Sequence, residues 1–548
     1  MTRPLINLIQ KPLHRCLMFI VGLFLCGFVN ANICLELKLP DNPDYQFQDN
    51  LFITSPDGNR LAANLMTPKA TPPASGWPTI IFVNSWVVEE HEYIVQAAQF
   101  AKKGYQVLSY SARGWGCSDG LINVIADSDM MDLTAIIDWL ETHTGADMGN
   151  IGISGISYGS GMSLRGAALE PRIKTAVAMS TWGNLQDALY GEQTPRLFWG
   201  FFLVASGYLT GTMDPSIAEN YLNLITHQNI PETMTWAEER SAAPLVDLIN
   251  ERQVPIYLAN NFSDYLFHPN QVMRFYESLT GPKRLDLNQG THASGEGFGL
   301  IGLENDTWKN THDWFDFWLK GQNTGIMNRP AFTMQTDLSY RREEFSTWPI
   351  PEAEDKTFYL GPRSLFSQGQ LRTTPYSSWF TVTNTINSGL DSGATTGIPI
   401  LSEILDSHLK TPVKASIPLL NRIHSIAYQS DKLGSIMKIR GIPKVTLNVE
   451  PSRKEMQLIG YLYDVDALGI GTLITHGPVT RYDAAAGQRV ALDFELLATA
   501  YDVPAGHRVA IAFDTLDLLY APPTLNLYSI QFKHASGYQS TLTLPLVD

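Results

Sequence analysis

The chain has 548 residues, 44% of them hydrophobic and 17% charged, with a formal net charge of -15 at pH 7. That length predicts about two to four domains, and the composition is that of a globular protein with a sizeable core, which excludes a disordered or collagen-like chain. An acidic surface repels phosphate backbones, so no nucleic-acid partner is expected.

Lys11 and Arg15 precede an apolar run, Cys16–Val29, of 14 residues. A membrane helix needs about 20, so no stable membrane span is expected. Val29-Asn30-Ala31 supplies the small residue of a cleavage point. The pattern predicts a secretory signal peptide over residues 1–31 and an exported chain, periplasmic or extracellular. Cys16 and Cys26 fall in that segment, and Cys34 and Cys117 remain. One pair makes no disulfide framework; two unpaired thiols are the expectation, with pairing left open. No Cys/His spacing suggests structural zinc, and no metal or organic cofactor is expected.

From about residue 50 to 320, strand and helix signals alternate. Thr79–Val83 is a continuous apolar run, as in a strand buried on both faces. A helix follows through Ala101 and stops at Gly104, and Gln106–Tyr110 reads as the next strand. Met130–Leu140 has apolar residues at helical spacing, Ile151–Ser154 is a short strand, Ser157–Leu169 a helix and Thr175–Met179 a strand. Repeated β-α-β units imply a mainly parallel sheet with helices on both faces. The rhythm breaks at about 183–250, a helical and aromatic insertion that reads as a cap over the sheet. Strands return at Pro255–Ala259 and Arg284–Leu287, and a helix around Trp308–Leu319 closes the first domain, placed at 32–325. Beyond it, at 326–548, Val445, Leu447 and Val449, then Val490, Leu492, Phe494 and Leu496, then Val509, Ile511 and Phe513 alternate with polar residues. That period of two predicts half-buried strands and a β-sandwich. Ser377–Gly397, rich in Ser, Thr, Asn and Gly, is expected to be a long loop.

Gly155-Ile156-Ser157-Tyr158-Gly159 is a G-x-S-x-G string set between a predicted strand and a predicted helix, where a nucleophile elbow sits. A serine hydroxyl needs a base, and the base an orienting carboxylate. The chain order in such folds is Ser, acid, His. Asp264, just beyond the Pro255–Ala259 strand, and His292, just beyond Arg284–Leu287, fit both places. His268 shares the Asp264 loop, His312 falls inside a predicted helix and Asp286 inside a strand, so they are weaker candidates. An oxyanion hole is expected from the backbone N–H of Tyr158 and from the loop Asn84-Ser85-Trp86, with Trp86 the second donor. Tyr158 and Trp86 could instead be packing aromatics.

These residues and the two-domain plan resemble the X-Pro dipeptidyl-peptidase and cocaine-esterase-like acyl hydrolases. The resemblance rests on N-S-W at Asn84–Trp86, R-G-W-G at Arg113–Gly116, G-I-S-Y-G at Gly155–Gly159 and G-P-K-R-L at Gly281–Leu285. Y-L-Y-D-V at Tyr461–Val465 and D-V-P-A-G-H-R at Asp502–Arg508 add to it. It implies an α/β-hydrolase core with a helical cap plus a C-terminal jelly-roll β-sandwich domain, and a triad of Ser157, Asp264 and His292. Members often place a tyrosine hydroxyl in the oxyanion hole, where this chain has Trp86, leaving the indole N–H or a backbone N–H as the second donor. The family divides between peptidases acting after proline and esterases or amidases, and the triad cannot separate them. No motif marks a carboxylate that would grip a free amino terminus, so acyl esterase is the first expectation and X-Pro dipeptidyl-peptidase the second. A catalytically silent glycan- or protein-binding chain is the third. The expected partner is a small ester, amide or short peptide substrate; oligomeric state is not legible.

Overall fold

The computed structural model describes Cys34 and residues 36–548; the signal-peptide reading falls on residues 1–31, outside the described residues. In chain order the first half runs β1 (Tyr45–Thr54), β2 (Arg60–Pro68), β3 (Trp77–Val83), α1 (Ile94–Lys102), β4 (Gln106–Tyr110), α2 (Asp127–His143), β5 (Ala146–Ile156), α3 (Tyr158–Leu169) and β6 (Ile173–Met179). Five helices follow: α4 (Leu185–Tyr190), α5 (Leu197–Thr210), α6 (Pro215–Thr226), α7 (Ile230–Glu238) and α8 (Val246–Glu251). Then come β7 (Ile256–Asn261), α9 (Pro269–Ser278), β8 (Lys283–Asn288), α10 (Ser294–Leu300), α11 (Asp306–Lys320), β9 (Phe332–Gln335) and β10 (Arg342–Phe345).

These strands form one sheet in the order β1-β2-β4-β3-β5-β6-β7-β8-β9-β10. It is antiparallel at both edges and parallel from β4 through β9. Every residue of β3, β4 and β7 is buried, which explains their unbroken apolar runs: helices cover both faces. In β3, Ile80 and Phe82 pack with Phe100, Trp314 and Phe315 of α1 and α11. Ile81 and Val83 face the other way, toward Leu133, Ile137 and Leu164 of α2 and α3. Close packing fixes one residue choice: a Cβ on Gly152 of β5 would lie 2.6 Å from the Phe315 ring. In such a sheet the carboxyl ends of the parallel strands are where ligands bind, and Ser157, Asp264 and His292 follow within four residues of the ends of β5, β7 and β8.

The helices α4–α8 lie between β6 and β7, over this end. Their starts follow ordinary capping rules: the Asp214 side chain accepts from Ser216 N at 2.9 Å, with Pro215 in the first turn of α6. Helix α5 carries no charged residue, and only Trp199 and Gly207 in it are buried.

The rest of the chain is β-rich, with 14 strands in one connected sheet system. The alternation read from sequence appears in Lys444–Pro451 and Val490–Glu495, whose Val445, Leu447, Leu492 and Phe494 share one core with Val509, Ile511 and Phe513. Arg508–Asp514 is not half-buried: Ala510 and Ala512 between those residues are buried as well, so both faces are covered. Three further expectations change. The first sheet continues past residue 325, because β9 pairs with β8 and turns back as β10. Ser377–Gly397 is not all loop: Val382–Asn387 is an edge strand paired with Ser529–His534, its Val, Thr and Ile outweighing the Asn and Ser around them. Cys34 and Cys117 are not free thiols; they form a disulfide with Cα atoms 5.6 Å apart. They are 83 residues apart in sequence, so only the fold brings them together. No helix among the described residues is long and apolar enough to cross a membrane.

Candidate active site

Strand β5 ends at Ile156 and α3 begins at Tyr158, leaving Ser157 alone in the turn at φ 53°, ψ -115°. A non-glycine residue in that conformation is strained, and such strain clusters at functional sites. The turn closes only because its neighbours are small. A Cβ on Gly159 would lie 2.1 Å from the Val83 carbonyl oxygen, and one on Gly155 would lie 2.5 Å from the Gly159 carbonyl carbon. Ser157 N donates to Met179 O at 2.9 Å, tying the elbow to β6. Another tie is Ile156 N, which donates to Tyr93 Oη at 2.9 Å.

Asp264 lies three residues beyond β7 and is fully buried. Its Oδ1 accepts from the amides of Leu266 and Phe267 at 3.1 and 2.8 Å, which fixes the carboxylate. Its Oδ2 accepts from His292 Nδ1 at 2.8 Å, and His292 Nε2 meets Ser157 Oγ at 2.8 Å. The rings of Phe267 and Trp199 stand edge-on to the imidazole, with centroids 5.1 and 5.8 Å away, and wall it from water. Three residues from separate loops thus meet in the geometry by which a carboxylate orients an imidazole and the imidazole takes a serine proton.

The weaker candidates do other things. His268 Nε2 meets the Asp187 carbonyl oxygen at 3.2 Å. His312 stacks on Phe100, and burial pushes its imidazole down to about 3. Asp286 is fully buried and paired with Arg284 at 3.0 Å. The R-G-W-G string is also structural: Arg113 forks onto Asp132 at 2.8 and 2.7 Å, and Trp115 has no exposed surface.

Tyr158 opens α3, so its N–H is among the first-turn amides that an α-helix leaves without an internal partner. Its hydroxyl points elsewhere, donating to Asp129 Oδ1 at 3.2 Å. For Trp86 the sequence reading is corrected: the indole N–H is not free for an oxyanion. It donates to Leu203 O at 3.2 Å and Ser206 Oγ at 3.1 Å, both on α5. An aromatic with a polar tip seeks a partner when buried, and the insertion supplies it. The loop of Trp86 is pinned by a residue the sequence reading missed: Glu92 accepts from Ser85 N at 2.7 Å and Ser85 Oγ at 2.6 Å. Burial raises the Glu92 carboxyl to about 7. No motif marks it.

A pocket opens from Ser157 under the insertion, lined by Trp86, Trp182, Leu185, Leu203, Val204, Ile217, Tyr221, Leu224, Trp236 and Phe267 among others. Its only charged lining residue is Arg196, and no carboxylate lines it. Among the described residues one group has metal-ligand spacing, Asp49, Glu90 and His91. The His91 imidazole there lies between carboxylates. Burial disfavours its charge, but the carboxylates of Glu89, Glu90 and Asp49 raise it to about 9, and its two nitrogens face Glu89 and Asp49 at 3.0 Å.

Residues 57–294 match the model of the X-Pro dipeptidyl-peptidase (S15) family, and residues 308–540 that of the X-Pro dipeptidyl-peptidase C-terminal non-catalytic domain. A protein of Bacillus cereus named Xaa-Pro dipeptidyl-peptidase is 21% identical over 402 residues, covering 67% of this chain and 61% of that protein. The chain therefore spans about three fifths of that relative's length. Among solved structures, a CocE/NonD family hydrolase from Staphylococcus aureus superposes with a TM-score of 0.71 at 14% identity, covering 92% of this chain and 94% of that one. An α-amino acid ester hydrolase gives 0.68 at 14% identity, covering 93% and 98%. These similarities extend through both halves of the molecule, and with two family models in tandem the chain belongs to the X-Pro dipeptidyl-peptidase (S15) family, on the α/β-hydrolase fold that it shares with the CocE/NonD structure.

Proposed function

We propose that the chain is a serine hydrolase acting through an acyl-enzyme, and that its first substrates are esters of apolar acyl groups, with amides second. The observation that carries this reading is the pair of 2.8 Å contacts linking Asp264, His292 and Ser157 at a strained elbow. His292 takes the Ser157 proton as the hydroxyl oxygen attacks the carbonyl carbon. The backbone N–H groups of Tyr158 and of the Trp86 loop receive the developing oxyanion. His292 then passes the proton to the leaving oxygen or nitrogen. Water, activated by the same imidazole, hydrolyses the acyl-enzyme and frees the acid. Asp264 holds the imidazole tautomer and steadies its cation.

The choice of ester over dipeptide rests on the pocket. Release of a dipeptide from a free amino terminus calls for an anion to hold the ammonium, and no carboxylate lines the pocket beside Ser157. The S15 family match and the name of the Bacillus relative favour the alternative, an X-Pro dipeptidyl-peptidase. Short- and medium-chain aryl esters assayed beside an X-Pro arylamide separate the two: esterase activity at least tenfold above arylamidase is expected. The reverse ratio favours the peptidase. Export belongs to the proposal as well, supported by the Cys34–Cys117 disulfide, because such bonds persist in oxidising compartments.

A further inference from the structure

Linked through Ser180 to the turn that carries His292 is a carboxyl group to which the triad assigns no task. Glu296, on α10, has no exposed surface. Ser180 Oγ contacts both of its oxygens at 3.2 Å, and Asn261 Nδ2 donates to Oε2 at 3.1 Å. Ser180 Oγ also accepts from Asn261 Nδ2 and from the backbone N–H of Ala293, each at 3.0 Å. Ala293 follows His292 directly and takes a left-handed conformation, φ 59°. Asn261 is the last residue of β7, three before Asp264. One carboxyl group thus joins the end of β6, the end of β7 and the turn that presents the imidazole. The glycines of that turn belong to the same device. A Cβ on Gly290 would lie 2.9 Å, and one on Gly295 2.3 Å, from Asn261 Oδ1.

We propose that Glu296 is a positioning residue for His292: through Ser180 it fixes the Ala293 amide and with it the imidazole, and its charge steadies the imidazolium formed when Ser157 gives up its proton. The proposal rests on the serine-hydrolase reading for its catalytic consequence, though not for its electrostatic one. The charged groups that face Glu296 are His292, which favours its ionisation, and Asp264, which opposes it; burial dominates and raises the carboxyl to about 7. Glu296 therefore changes charge across neutral pH. Below that range it is a neutral acid and contributes only its hydrogen bonds. Above it, a second negative charge supports the imidazolium beside Asp264.

The test compares wild type with Glu296→Gln, Glu296→Asp and Ser180→Ala. Glutamine keeps the shape and loses the charge. It should lower kcat about tenfold at pH 8 with KM little changed, and should move the NMR titration midpoint of the His292 imidazole down by about one pH unit, the same factor of ten. The wild-type acid limb of kcat/KM should reflect two ionisations, and that of Glu296→Gln one. Aspartate should restore part of kcat. Ser180→Ala keeps the charge and cuts the relay, so it should lower kcat while leaving the titration close to wild type. Wild-type kcat, acid limb and His292 titration in folded Glu296→Gln would overturn the proposal. Should Glu296→Gln fail to fold, unchanged kcat in Ser180→Ala would do the same for the relay. If the serine-hydrolase reading itself is wrong, wild type will neither turn over esters nor label at Ser157 with a fluorophosphonate. The His292 titration still decides the electrostatic claim in that case.

Discussion

Ser157, Asp264 and His292 show how differently three side chains can be held at one meeting point. Ser157 is held by backbone strain, at φ 53° in a turn with no room for a larger neighbour. Asp264 is held by two amides, and His292 by Asp264 on one side and a relay to Glu296 on the other. On the proposed mechanism Ser157→Ala should reduce kcat by about 10⁶-fold, since members of a triad act as a unit. Near-normal turnover of an aryl ester in that variant would remove Ser157 from the nucleophile role. Asp264→Asn preserves the shape and reverses the tautomer preference, and should cost about 10⁴-fold in kcat; an undiminished rate would assign the acid role to another carboxylate. At this scale the sequence was informative because chemistry restricts identity: G-x-S-x-G at a strand-to-helix junction, with an acid and a histidine after later strands. It was silent on Glu296 and Glu92, because a buried carboxylate acquires its role from neighbours that arrive from other elements.

At the scale of elements, the elbow depends on how closely α3 approaches β3. The Val83 carbonyl sits where a Cβ on Gly159 would be, 2.1 Å away, and Val83 leads into the Asn84–Trp86 loop. Gly159→Ala should therefore push α3 off β3 and disturb the Asn84–Trp86 loop as well as the core. Overpacking of this kind costs about 1–3 kcal/mol. The expected result is a lower melting temperature together with reduced kcat, measured by calorimetry and ester turnover. A variant with wild-type stability would contradict the packing argument. The insertion shows the opposite case. Helix α5 has neither charges nor a strong apolar stripe, so its sequence says only that it is buried or covers something apolar. Its use becomes plain when Leu203 and Val204 are found lining the pocket while Leu203 O takes the Trp86 indole N–H. The helix roofs the pocket and occupies the donor that the sequence had offered to an oxyanion.

The whole molecule is joined by contacts between distant segments. Arg440, fully buried in the β-rich half, forms ion pairs with Glu343 of β10 and with Asp502. Asn270 of α9 donates to Leu496 O at 3.0 Å and accepts from Ala498 N at 2.7 Å. The Cys34–Cys117 bridge closes a loop of 83 residues, and restricting the unfolded chain in this way is worth about 2–4 kcal/mol. Reductant, or Cys117→Ser, should lower the melting temperature; no change would mean the bridge adds nothing to stability. Stability should also depend on pH. Burial raises Glu403 and Asp406 to about 8 and Asp129 to about 7. An unfolded carboxylate ionises near pH 4. The folded chain holds these protons longer, so their contribution is complete below about pH 4 and is lost as pH rises through the folded values. The buried imidazoles of His312 and His476, pushed down to about 3 by burial, act in reverse and lose their contribution as pH falls below about 6.5. Between about pH 6.5 and 8.5 only the carboxyl groups change in this way, joined by His91 with the same sign. The melting temperature should fall across that interval, and less steeply in Glu403→Gln. A flat or rising profile in wild type would refute this balance.

Sequence by itself determined which segments are strands of a covered sheet, which helix follows the elbow, and which half is β-rich. These properties rest on local periodicity and on residue types that tight turns demand. It placed an edge strand in a loop, ended the first sheet one hairpin early and left open the pairing of two bridged cysteines, with free thiols favoured. Each of those depends on a partner far away in the chain, so local pattern carries no trace of it. Tertiary structure alone decided the 2.8 Å meeting of Asp264, His292 and Ser157, the capture of the Trp86 indole by α5, the pocket without a carboxylate and the buried carboxyl group tied through Ser180 to the turn after His292. The physical reason is the same throughout: directed hydrogen bonds and burial are properties of atoms brought together, and only the folded chain specifies which atoms those are.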